Sequence, residues 1–433
     1  MVDDLIWRCT YMSEKLDPNE VQKELEEMVK SKFGESVKIV TQKMDFDPLD
    51  PNFSAAKEQE SDKNKEINLS FDFKPKEVFD YLNEFVIGQL EAKKTLAVAV
   101  CDHYNHIRKV QNSDSSLSHY YKQNVLMLGP TGVGKTYLVK KLAQLVGVPF
   151  VRADATKFTE AGYVGANVED TIRDLVVQAD GNIELAQYGI VYIDEADKLA
   201  GSRKVAGKDI SGRGVQNGML KLLEETEVDA KSPFDMMSQM NSMIMGGKES
   251  KPKTINTKNI LFIFSGAFHG LEDIIKKRLN ANTIGLTATN SKEEINPDYF
   301  SLATTKDLLD FGLESELIGR LPVRVHLNDL TEDQLYQILT ESRESILFQY
   351  EDAFDSYDIK LNFTEEALRE IATQAFKEKT GARSLMTIIE KSLREFKFEL
   401  PSLAIDSLEV SLELINNPKE ILQKMIKEYS KLQ

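Results

Sequence analysis

The chain has 433 residues, 41% hydrophobic and 29% charged, enough for about three domains of ~150 residues with their own cores and unlike either a disordered or a membrane protein. Its 70 acidic and 54 basic residues leave a formal charge of −16, which disfavours nucleic acid and anionic lipid as partners unless a local patch overrides it. Two cysteines, Cys9 and Cys101, make neither a disulfide framework nor a zinc site, and the apolar runs LAVAV and ILFIF are too short for a bilayer.

The start, MVDDLIWRCT, lacks the basic head and apolar core of a secretion signal, so a cytoplasmic address is expected. Residues 1–44 read as a small α+β piece. Asp17 and Pro18 signal a helix start, Val21, Leu25, Met28 and Val29 share a helical face, and VKIV at 37–40 suits a strand. This piece is either a docking module or a mere appendage. Residues 45–68 are polar, hold Pro48 and Pro51, and suit a flexible linker.

From 69 to 328 buried-strand runs alternate with amphipathic helices, the mark of a parallel sheet covered on both faces. The expected strands are NVLML (124–128), PFVRA (149–153), IVYI (190–193), ILFIF (260–264) and VRVHL (323–327). From 329 to 433 strands nearly stop. Thr331 and Gln334 form a capping-box pattern, and Leu385, Ile388, Ile389, Leu393 and Phe396 stripe a helix, so this part should be mostly helical.

Gly129, Pro130, Thr131, Gly132, Val133, Gly134, Lys135 and Thr136 spell GPTGVGKT between an expected strand and an expected helix. A glycine-rich turn there lets backbone N–H groups curl around the phosphates of ATP, Lys135 reach the outer phosphates and the Thr136 hydroxyl meet magnesium (Mg2+). GIVYI then delivers Asp194 and Glu195 at a strand's carboxyl end, where open α/β sheets bind ligands. Asp194 suits the Mg2+ shell, and Glu195 suits polarisation of the attacking water. The string DEAD at 194–197 also fits a helicase, against which the net acidity weighs.

The phrases VIGQLEAKKTLAVAV (86–100), GPTGVGKT, AGYVG (161–165), YIDEADK (192–198), FGLESELIGRLP (311–322) and KTGARSL (379–385) stand in one order along the chain. Together they resemble the ClpX family of AAA+ unfoldases across residues 75–405, while ATKFTE, DTIRDL and SGAF are closer to its sister family, HslU. The resemblance implies a P-loop α/β domain with a helical lid, assembled as a homo-hexamer with ATP between subunits. It implies a ring that threads protein substrates through its pore to a ClpP-like peptidase ring.

By that resemblance Val86, Ile87, Gly88 and Gln89 pack around the adenine, or else simply start a helix. Arg320 is the arginine finger reaching a neighbour's γ-phosphate, and Arg383 is the sensor arginine of the lid; a surface ion pair is the alternative for each. Ser265 serves as a polar sensor or as a plain capping hydroxyl. Gly162, Tyr163, Val164 and Gly165 form the pore loop, whose tyrosine between glycines suits a moving paddle. Ile284, Gly285 and Leu286 resemble the tripeptide that plugs peptidase pockets.

Some features depart from the family pattern. The cysteines for an N-terminal zinc domain are lacking, and the basic entrance triplet is replaced by a segment holding Met236, Met237, Met240, Met243 and Met245. That segment is either a soft gripping loop or a disordered insertion. The rival readings are a stand-alone remodeller, a nucleic-acid motor and an HslU-like peptidase partner.

Overall fold

The computed structural model describes residues 71–112, 121–159, 166–200, 212–230, 254–282, 298–403 and 405–432. The N-terminal piece and linker, the Tyr163 loop, the methionine-rich segment and Ile284 to Leu286 lie outside the described residues.

Two helices precede the sheet, α1 (Pro75–Phe85) and α2 (Leu90–Asn112). Then come β1 (Val125–Leu128), α3 (Lys135–Val146), β2 (Phe150–Asp154), α4 (Asp170–Gln178), α5 (Ile183–Ala186) and β3 (Ile190–Asp194). α6 (Gly212–Leu223) and the antiparallel pair β4 (Glu227–Asp229) and β5 (Thr254–Asn256) follow, then β6 (Leu261–Gly266) and α7 (Leu271–Asn282). α8 (Thr305–Phe311), α9 (Ser315–Gly319) and β7 (Val323–His326) complete this part.

The five expected strands are β1, β2, β3, β6 and β7, and they form one parallel sheet in the order β2-β3-β6-β1-β7. Side chains alternate between its faces. Val125, Met127, Ile190, Tyr192, Leu261 and Ile263 enter one core with α2 and α3, and Leu126, Leu128, Val191, Ile193, Phe262 and Phe264 enter the other with α4 and α6. Burial on both faces explains why these strands read as unbroken apolar runs.

The C-terminal part holds α10 (Glu332–Thr340), α11 (Ile346–Asp355), β8 (Lys360–Phe363), α12 (Glu365–Glu378), α13 (Ala382–Glu399), β9 (Ser407–Val410), α14 (Leu412–Asn416) and α15 (Pro418–Leu432). Thr331 and Gln334 make the expected capping box on α10. The five striped residues of α13 are all buried, each contributing about 1.5–3 kcal/mol relative to exposure. The parallel pair β8 and β9 was not foreseen; each is only four residues long, and its partner lies over forty residues away.

Lys141 on α3 is buried against the Phe85 ring and ion-paired with Glu344, while Ser342 Oγ donates to the Phe85 carbonyl. These contacts fasten the start of the C-terminal part to the end of α1 and to α3, the helix that follows the glycine-rich motif.

Candidate functional site

β1 ends at Leu128, and the next six residues lead into α3, which opens with Lys135 and Thr136. Gly134 caps that helix at φ 96°, left-handed backbone where a side chain is strained, and the space beside its Cα is open. The amino end of a twelve-residue helix, with its unpaired N–H groups and partial positive charge, thus opens onto a cavity of about 550 Å³. Pockets for small ligands span roughly 300–1,000 Å³. Lys135 Nζ donates to the carbonyls of Gly129 and Pro130, each at 2.6 Å. Burial pushes its pKa down to about 8, against the opposing pull of Asp194 and Asp197.

The neighbouring strand end supplies the acids. Asp194 Oδ2 accepts from Arg152 Nη2 at 2.8 Å and from Thr136 Oγ1 at 3.3 Å. Its Oδ1 accepts from the Glu195 N–H at 3.1 Å and from the Tyr192 hydroxyl at 3.4 Å. Glu195 stands exposed at the cavity with φ 56°, a strained value for a residue with a side chain and a frequent mark of functional sites. Asp197 is buried, and its Oδ1 accepts from the Ala267 N–H at 3.2 Å, pinning the end of β6 beside the acids.

Arg383, the second residue of α13, lines the same cavity with Ile346, Ala382 and Met386. It is brought there by a close backbone approach, in which Ala382 N–H donates to the Gly132 carbonyl at 2.9 Å. A Cβ on Gly132 would stand 2.0 Å from the Thr380 carbonyl oxygen.

The remaining expected residues lie elsewhere. Arg320 is half-exposed, pairs with Glu224 at 2.8 Å and does not line the cavity. Nor do Val86, Ile87, Gly88 and Gln89; Val86 is buried, and the Gln89 side chain brackets the Asn328 backbone at 2.8 and 3.0 Å. Ser265 is fully buried and accepts from the Tyr192 hydroxyl at 2.8 Å.

Arg152 and Tyr192 are among the residues at the site that carry no motif in the sequence. Arg152 sits on β2, opposite Tyr192 in register. Tyr192 lies two residues before Asp194, so period-two alternation puts both on one face, and a hydroxyl in an otherwise aliphatic strand was the available signal.

Residues 121–324 match the model of an AAA domain (Cdc48 subfamily), and residues 330–400 match that of the C-terminal, D2-small domain of ClpB protein. The ATP-dependent Clp protease ATP-binding subunit ClpX of Borrelia duttonii is 41% identical over 333 residues, covering 76% of this chain and 75% of that one. Its namesake in Treponema denticola is 41% identical over 353 residues (80% and 81%), and that of Bacteroides fragilis 39% over 360 (82% and 83%). The chain belongs to the ClpX family. As a ClpX-family AAA+ protein it is an ATPase that binds nucleotide. Among the described residues no helix is long and apolar enough to cross a membrane.

Proposed function

We propose that the chain is an ATP-driven protein unfoldase and translocase, working as a homo-hexamer that delivers substrate proteins to a ClpP-like peptidase. The carrying observation is that the Gly129 to Thr136 loop, Asp194, Glu195 and Arg383 converge on one cavity beyond the carboxyl ends of β1 and β3. Lys135 would hold the outer phosphates, and Thr136 with Asp194 would hold Mg2+. Hard oxygen donors suit that ion.

Bound Mg2+ neutralises phosphate charge during transfer. Glu195 orients the attacking water and takes its proton, while Arg383 registers the nucleotide from the C-terminal part. Arg320, held by Glu224 away from its own cavity, is available to a neighbouring subunit's γ-phosphate, and the Val86 to Gln89 stretch is assigned to the adenine side. Ser265 acts as the polar sensor from behind the site. Residues 69–328 serve as motor and 329–433 as lid; 45–68 link them to the docking module 1–44.

The relatives' name, subunit of an ATP-dependent Clp protease, supports peptidase delivery, with Ile284, Gly285 and Leu286 as the plug and Gly162 to Gly165 as the gripping loop. A cytoplasmic address follows from this role, with neither nucleic acid nor membrane as partner. In the test, Tyr163→Ala should keep ATPase activity and lose unfolding of a stable tagged protein. Ile284→Ser with Leu286→Ser should keep both and lose only degradation by the peptidase ring. Equal loss of ATPase and unfolding at Tyr163 would remove the gripping role, and unaltered degradation in the double variant would favour a stand-alone remodeller.

A further inference from the structure

The Tyr192 side chain rises from β3 beneath the phosphate loop and is fully buried. Its hydroxyl lies 2.8 Å from Ser265 Oγ on β6, 3.1 Å from Thr136 Oγ1 on α3 and 3.4 Å from Asp194 Oδ1. One phenol thus ties together a strand end, the last residue of the phosphate loop and the acid beside it.

The proton count gives this junction a direction. A hydroxyl has one proton to donate and two lone pairs to accept with. The single Tyr192 proton is shared between Ser265 Oγ, the nearest oxygen, and Asp194 Oδ1, which can only accept, so toward Thr136 the phenol acts as an acceptor. The Thr136 proton therefore points inward, to Tyr192 or to Asp194 Oδ2 at 3.3 Å. Its remaining lone pair is left for the cavity that Thr136 lines, the arrangement a cation needs from a hydroxyl ligand.

We propose that Tyr192 is a positioning residue for metal-dependent nucleotide binding: it fixes the Thr136 hydroxyl with a lone pair toward the cavity and couples that orientation to Ser265. Without the phenol oxygen only the 3.3 Å contact with Asp194 Oδ2 holds the Thr136 proton inward, so the hydroxyl more often presents that proton to the cation. The proposal rests on the reading of Thr136 and Asp194 as the Mg2+ holders.

The test uses the full chain and a fluorescent ATP analogue, with affinity measured in Mg2+ and in EDTA. Wild type should bind more tightly in Mg2+. Tyr192→Phe keeps the ring and removes only the oxygen. It should match wild type in EDTA and lose about tenfold of the Mg2+-dependent tightening, the scale of one buried hydrogen bond to a charged site. Ser265→Ala removes the nearest acceptor of the Tyr192 proton, which then divides between Asp194 Oδ1 and Thr136, and should lose part of the same tightening. The double variant should bind no worse than Tyr192→Phe, because both changes break one chain.

Wild-type tightening in Tyr192→Phe, or losses that add in the double variant, overturns the proposal. Should Tyr192→Phe fail to fold, unchanged tightening in Ser265→Ala overturns it alone. A wild-type chain indifferent to Mg2+ overturns instead the magnesium reading beneath it.

Discussion

The contact between Gly132 and the turn before α13 is the tightest link between the phosphate loop and the C-terminal part, and a single methyl group tests it. In Gly132→Ala the new Cβ would fall 2.0 Å from the Thr380 oxygen and 2.9 Å from its carbon. A carbon rests about 3.3 Å from a carbonyl oxygen, so the turn must retreat by about 1.3 Å. That retreat carries the 2.9 Å bond from Ala382 N–H to the Gly132 carbonyl beyond the usual limit of about 3.2 Å and costs about 1 kcal/mol. Gly132 also has φ +78°, which for alanine costs roughly 1–2 kcal/mol. The sum is about 2–3 kcal/mol.

Gly181 isolates the backbone part. It has φ +79° with open space around it, in the turn between α4 and α5, so Gly181→Ala should cost only the roughly 1–2 kcal/mol of conformation. Urea unfolding of the nucleotide-free variants gives the comparison, with the difference between them reporting the steric contact. The displaced turn should also weaken binding of a fluorescent ATP analogue in Gly132→Ala and leave it unaltered in Gly181→Ala. Equal midpoints and equal affinities in the two variants would refute the contact as a structural link.

Glu195→Gln should bind ATP normally yet turn it over at least about a hundredfold more slowly, as loss of a general base does; near-normal turnover in a steady-state assay removes Glu195 from that role. Arg320→Ala should lose on the order of a thousandfold in turnover, and mixing it with Glu195→Gln subunits should restore part of the activity, since an interface whose Glu195 comes from an Arg320→Ala subunit and whose arginine comes from a Glu195→Gln neighbour holds one intact site. No gain on mixing would count against action between subunits. Burial holds Lys135 near 8, below its ordinary 10.5, and a phosphate partner favours the charged form. Binding therefore takes up protons above about pH 8, and affinity should fall as pH rises from there. Calorimetry at about pH 8.5 in buffers of different ionisation enthalpy reads the uptake directly, and identical observed heats in all the buffers would show that Lys135 binds no proton.

The parallel sheet was legible because its central strands are apolar on both faces. ILFIF and IVYI can settle nowhere but between two helical layers, and the strand ends then follow from the polar residues that interrupt the runs, Asp194 and Ser265 among them. β8 was not legible for the opposite reason. In Lys360–Phe363 one residue is buried and its neighbours are exposed or half-buried, a pattern too short to separate from a loop. Its pairing with β9 depends on the whole C-terminal core.

The site divides along the same physical line. The phosphate loop and the acids of β3 are local, since a few adjacent residues with one backbone geometry suffice for their chemistry. Arg152 and Tyr192 are set by strand order, for Arg152 reaches Asp194 only because β2 lies beside β3, and Tyr192 reaches Ser265 only because β6 lies on β3's other side. Strand order is a property of the packed sheet and leaves no mark on either strand's own residues. This asymmetry bears on mechanism. The local elements set what phosphate chemistry is available, whereas groups gathered from separate strands and from the C-terminal turn decide how that chemistry responds to movement elsewhere. Arg152 holds the same Asp194 oxygen that accepts from Thr136, so a shift of β2 against β3 alters the acid and, through Thr136, the end of the phosphate loop. Gly132 and Ala382 meet through backbone atoms alone, so a shift of α13 alters the loop without touching the acid. The site therefore has two mechanical inputs, one entering at Asp194 and one at Gly132, which meet at Thr136.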